Sequence, residues 1–183
     1  MKTCWVLSQN TPNGAVDPQV FSNVTETWSD VGQWREYQTD NVVCHDLAQG
    51  INLIRRAFHA VTTLYVPRAN YNELGRPVGV KLYEGEFSDH AVANKEDIIM
   101  MNLVSTSNDI VLMYGFNLAP VSNEIDILEQ RFEKAYRHNI KSIIESNPDV
   151  QYVLVDYNHK LAENLKKLDN LTTDNLDAVL ELL

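Results

Sequence analysis

Cysteine, glycine and positive charge are all scarce in this 183-residue chain, and each shortage excludes a class of protein. Two cysteines, Cys4 and Cys44, cannot build a disulfide framework, so a reducing, cytoplasmic setting is expected. Seven glycines leave little scope for a phosphate-cradling loop, and neither G-x-x-x-x-G-K-S/T nor G-x-G-x-x-G occurs. Fifteen basic side chains stand against 25 acidic ones, a net charge of −10. A field of that sign repels phosphate backbones, so direct nucleic-acid binding is not expected. No apolar run approaches the roughly 18 residues that span a bilayer, so no membrane partner is expected either. The histidines (His45, His59, His90, His138, His159) form no H-x-x-H or H-E-x-x-H pair, and no cysteine pair has zinc spacing. Neither metal nor cofactor is therefore expected.

The 44% hydrophobic and 22% charged content is that of a soluble globular domain. Met1–Ser8 reads as a first strand, and residues 9–30 as a loop rich in turn formers with room for a short strand. Residues 31–39 read as a strand carrying Trp34 and Glu36 on one face. Leu47, Ile51, Ile54, Phe58 and Val61 recur at helical spacing behind Asp46, an N-cap residue type. Residues 62–66 and 78–83 read as strands. Residues 97–104 form a nearly unbroken apolar run, followed by the turn 105–108 and a second run, 109–116. Together they suggest a hairpin buried on both faces. A helix is expected over 124–146, capped by Asn123, with Ile125, Leu128, Phe132, Tyr136, Ile140, Ile143 and Ile144 in one stripe and Arg137 off it. A strand at 151–157 and short helices at 160–168 and after Thr173 complete the reading.

The expected fold is α+β: a single mixed or mainly antiparallel sheet with two helices, 46–60 and 123–146, covering one face. Residues 1–158 form the globular domain and 159–183 a small helical C-terminal appendage. The sequons at Asn23 and Asn170 read as chance matches.

Several constellations carry chemistry in principle. Cys44-His45-Asp46 has the residue types of a catalytic triad, but consecutive residues cannot converge on one another. Glu84, Glu86, Asp89 and His90 form a carboxylate–imidazole group suited to acid–base work, with Glu36 as a further candidate. Arg55, Arg56, Arg68 and Arg76 read as solvated charges, and Trp28, Trp34 and Tyr37 as core packing. After Lys167 there are four acids, Asp169, Asp174, Asp177 and Glu181, and no base. Leu176 and Leu180 lie among them on the final helix.

Trp34-Arg35-Glu36, Val42-Val43-Cys44-His45-Asp46 and Gln49, leading into a helix and a strand, resemble the phage-encoded S-adenosylmethionine lyases. Those are small α+β proteins that destroy the methyl donor of host restriction systems. The resemblance covers about 50 of the 183 residues. It implies a metabolite-directed enzyme. The chain departs from that family in lacking a helix between the first two strands and in adding a long C-terminal half.

Composition and charge favour a different function. A non-catalytic protein would dock its acidic C-terminal surface on a basic protein partner, as an inhibitor of a nucleic-acid-handling enzyme or an assembly or virion component. Homo-oligomers would form through the C-terminal helices. The alternative is a small metabolite-directed enzyme using the carboxylate–histidine group.

Overall fold

In the computed structural model, which describes residues 1–56, 63–73, 80–83 and 92–183, strand and helix alternate along the chain. The first half contains β1 (Thr3–Leu7), β2 (Glu26–Asp30), α1 (Val31–Tyr37), β3 (Asn41–Val43), α2 (Leu47–Arg56), β4 (Thr63–Pro67), α3 (Arg68–Glu73) and β5 (Val80–Tyr83). The second contains α4 (Lys95–Ser105), β6 (Ile110–Tyr114), α5 (Ile127–Ser146), β7 (Gln151–Val155), β8 (Leu171–Asp174) and α6 (Leu176–Leu182). A 3-10 turn at Pro18–Asn23 joins the first two strands. The described strands form one eight-stranded sheet in the order β5-β4-β3-β2-β1-β6-β7-β8, and every pair is parallel.

This overturns the expected mainly antiparallel α+β fold: the architecture is α/β, a Rossmann-like doubly wound sheet. The error lies in residues 97–104, which belong to the helix α4 and not to a hairpin strand. Ile98, Ile99, Met100, Met101 and Val104 are each at most 2% exposed, because α4 lies between the sheet and α5. A helix covered on nearly every side, as α4 is with only Asn102 exposed, reads as an almost unbroken apolar run, just as a strand covered on both faces does. Each of those side chains contributes about 1.5–3 kcal/mol of burial, so the packing, not the period, decides the conformation. With a helix before β6, the chain re-enters the sheet from the same end, and the pairing is parallel.

The two expected covering helices also lie on opposite faces. Cys4, Val6, Val43, Met113 and Leu154 pack with α4 and α5 on one side. Val42, Leu64 and Val66 pack with Val31 and Trp34 of α1 and Leu53 of α2 on the other. Residues 31–37 form the helix α1, not a strand, because Asp30 caps it by accepting a hydrogen bond from Gln33 N at 2.9 Å. Asp46 caps α2 as expected, through Gln49 N at 2.8 Å. For α5 the cap is Asp126, three residues later than Asn123, and Leu128 of the expected stripe is 52% exposed. Arg137, expected off the stripe, is buried: its guanidinium donates to the carbonyls of Ala119 and Glu133.

Residues 160–168 are turns instead of a helix, and 171–174 pair with β7 as the last strand. Beyond it, Val179 of α6 is buried against Trp5, Leu112, Val153 and Val155. Asn170 holds this end of the sheet. Its side-chain amide donates to the carbonyls of Ile144, Asn147 and Val150 at 3.1, 3.0 and 3.1 Å, adding a second donor to the first two, which also accept from Asn147 N and Val150 N. The Asn170 sequon is thus closed by structure. Asn170→Ala is expected to cost about 1–3 kcal/mol in urea unfolding, since three hydrogen bonds are lost together while Ile144 and Asn147 keep only their backbone donors. An unchanged midpoint would mean that the clamp carries no stability.

Candidate functional site

The strand order reverses direction at β1. From β1 the chain continues to β2 on one side, and β6, its other neighbour, continues to β7 on the opposite side. Loops leaving the carboxyl ends of β1 and β6 therefore diverge and leave a crevice, the place where doubly wound sheets hold ligands. Here it is a cleft of about 530 Å³ over the ends of β1, β6 and β7, within the usual size range of small-molecule sites.

One wall is the segment following β1. Ser8 N donates to the Tyr114 carbonyl at 2.9 Å, Thr11 N to the Ser8 carbonyl at 2.9 Å, and Thr11 Oγ1 to the Tyr114 carbonyl at 3.2 Å. Gln33 reaches across from α1 and donates to the carbonyls of Gln9 and Thr11 at 3.2 and 3.0 Å. Gly115 makes the tight turn after β6 with φ +77°, and a side chain there would strike Thr11. Asn10 and Pro12 line the cleft from this wall, and Tyr114, Phe116 and Asn117 line it from the β6 side.

The floor comes from the end of β7. Asp156 adopts φ +52°, its N–H donates to the Asp174 carbonyl at 2.8 Å, and its Oδ1 accepts from Leu176 N at 2.8 Å. It thus ties β7, β8 and α6 together while facing the cleft. Tyr157 and His159 stack edge to face with ring centroids 5.7 Å apart. Burial, followed by the neighbouring Asp156 and Tyr37, pushes the Tyr114 hydroxyl above its ordinary pKa. The described lining thus combines aromatic rings, three asparagines, one carboxylate and one imidazole, and includes no lysine or arginine.

Behind the wall lies a buried carboxylate. Asp97, in the first turn of α4, is fully buried. Its Oδ2 accepts from Ser8 Oγ at 2.6 Å and from Tyr136 Oη at 2.9 Å, and its Oδ1 accepts from Gln9 N at 3.2 Å. Burial pushes its pKa up to about 7 despite these donors, and the charge of Asp30 adds to the rise. A position at a helix start favours the anion by about 0.3–1 kcal/mol, too little to offset full burial.

Glu84, Glu86, Asp89 and His90, the expected acid–base group, lie outside the described residues. Glu36 is exposed on α1, whereas Trp28, Trp34 and Tyr37 are core residues. Of the residues behind the lyase resemblance, Trp34 and Cys44 are buried in one apolar cluster. The Cys44 thiol is pushed up to about 12 by burial, which removes it as a nucleophile. Asp169, Asp177 and Glu181 are exposed, and Asp174, Leu176 and Leu180 are half-buried, with Leu176 packed against the sheet. Among the described residues no cluster of three His, Cys, Asp or Glu side chains could hold a metal, and no helix is long and apolar enough to cross a membrane.

Fold and cleft together define a doubly wound α/β protein with a ligand-sized crevice at its switch point. No protein-family model, curated protein or solved structure matches the chain. The sequence reading missed Asn10, Asp97, Asn117, Asp156 and His159. The signal lay in position, since all but Asp97 follow the carboxyl ends of β1, β6 and β7. That signal has meaning only once the sheet is known to be parallel.

Proposed function

We propose that this protein binds a small, phosphate-free polar molecule bearing a flat ring, such as a nucleoside, in the switch-point cleft. The observation that carries the reading is the cleft lining: Tyr114 and Tyr157 offer faces for stacking, and Asn10, Asn117 and Asn158 offer paired donors and acceptors for a heterocycle edge. Asp156 retains an oxygen able to accept from a ligand hydroxyl, since only Oδ1 is engaged by Leu176. A phosphorylated ligand would meet a carboxylate in the cleft and a net charge of −10 around it.

The test is ligand-observed NMR with nucleosides and their monophosphates, on the wild type and on Asn117→Trp, which plugs the cleft from an exposed position. Nucleosides are expected to bind at least about tenfold more tightly than the monophosphates, and Asn117→Trp is expected to abolish the signal. Equal binding of the monophosphates, or binding unaffected by the plug, would defeat the reading.

A second reading has the exposed acids Asp169, Asp177 and Glu181, with Asp174, docking on a basic protein surface beside the exposed Leu182. Neutralising all four acids leaves nucleoside binding unchanged if the cleft is the site.

A further inference from the structure

The wall of the cleft and the buried carboxylate share one hydrogen-bonded chain. Ser8 Oγ donates to Asp97 Oδ2 and also accepts from Asn10 N at 3.3 Å, and Asn10 lines the cleft. Tyr136 Oη supplies the second donor to Oδ2, and Gln9 N the donor to Oδ1. All three donors point at the carboxylate, so the arrangement is complete only while Asp97 is ionised. A proton on Asp97 has to reverse the Ser8 contact, reverse the Tyr136 contact, or displace Gln9 N. Two of those three outcomes fall on residues 8 and 9, next to the cleft.

We propose that Asp97 is a positioning residue for the cleft wall: its ionised form holds residues 8–10 in place, and its protonation releases them. The proposal takes the switch-point cleft as the binding site and adds a control on it. Ligand affinity then rises with pH as Asp97 ionises.

The groups facing this carboxylate are consistent with a midpoint that solution conditions can cross. Asp30, at the end of β2, bears on it and raises it, and Asp30 is itself pushed up, mainly by burial. Tyr136, from α5, is held well above its ordinary range, first by burial and then by Asp97. One negative neighbour, Asp30, and a network of three donors therefore surround Asp97, from the segment after β1, the end of β2 and α5.

The test is a pH titration of the ligand-free full chain by NMR from pH 5 to 9. It follows the Asp97 carboxyl carbon and the backbone amides of Gln9 and Asn10. The three signals are expected to move together with a midpoint of about 7. The amide movement should be lost in Asp97→Asn, and Asp30→Asn should lower the shared midpoint. If Asp97→Asn does not fold, Tyr136→Phe replaces it, and loss of that donor should raise the midpoint in all three signals. A carboxyl carbon that titrates while both amides stay still would overturn the proposal, as would a carboxyl that does not titrate in this range. Because no ligand is present, the outcome is separate from the nucleoside test: either can fail while the other stands.

Discussion

Asp97→Asn is expected to make the protein more stable than the wild type at pH 8 and to leave the two nearly equal at pH 5. The wild-type carboxyl is fully buried and holds its proton up to about pH 7, against roughly 4 in an unfolded chain. Folding therefore favours the protonated form. The resulting stability is fully present below about pH 4 and is lost as pH rises through 7. The interval corresponds to at most roughly 4 kcal/mol, a large fraction of the stability of a domain this size. Asparagine is neutral and of the same shape. Its carbonyl can accept from Gln9 N, and its amide can donate to the Ser8 and Tyr136 oxygens once those hydroxyls turn their own hydrogens away, the same reversal that the protonated acid demands. It should thus behave like the protonated acid at every pH and flatten this part of the profile. Urea unfolding at pH 5 and pH 8 checks this. A variant weaker than the wild type at pH 8 would show that the ionised carboxylate is net stabilising in its network.

Gly115→Ala is the second large effect, in the destabilising direction. At φ +77° an L side chain is strained by about 1–2 kcal/mol before any contact is considered. A methyl group there would sit 2.5 Å from Thr11 Oγ1 and 2.9 Å from both Thr11 N and Cα. Two of those three contacts are to backbone, so rotating the Thr11 side chain away relieves only one. The wall formed by residues 8–12 must move, against the hydrogen bonds that it accepts from Gln33 and donates to Asp97 and Tyr114. The combined cost is about 2–4 kcal/mol. Adding Thr11→Ala should not rescue it, because the backbone contacts remain. Thermal unfolding of the single and double variants tests the argument, and full rescue by Thr11→Ala would refute it. Nucleoside binding should fall in parallel, since Asn10 and Pro12 shift with the wall.

Several elements were legible in the residues. Apolar, β-branched runs bounded by turn formers marked β1, β4, β5 and β7, and helical spacing behind Asp46 marked α2. The long stripe marked α5, although its first turn was placed too early because Leu128 is apolar yet exposed. α1 was missed for a local reason: Trp34, Tyr37 and Val31 face the core at helical spacing, but seven residues are too few for the period to stand out from strand alternation. The buried Arg137 read as a surface charge because its contacts to Glu133 have the i, i+4 spacing of an ordinary exposed helix pair, whereas the Ala119 carbonyl that it also meets lies outside the helix, where periodicity does not reach.

The site was less legible than the fold, and Asp97 shows why. In the sequence it is an acid at the start of an apolar run, the ordinary place for a helix-start carboxylate. Its burial, its raised affinity for a proton and its link to Asn10 depend on Ser8 and Tyr136, which lie 89 and 39 residues away.

By itself, the sequence determined composition, charge and local pattern: an acidic chain without a phosphate loop, with most strands and three helices, α2, α5 and α6, in recognisable places. Only the tertiary structure decided that residues 95–105 are helical, that the sheet is parallel and reverses its order at β1, and that a cleft opens there. The physical reason is that burial on nearly every side erases the periodic contrast on which pattern reading depends. Strand direction and the meeting of Ser8, Asp97 and Tyr136 are set by partners far away along the chain.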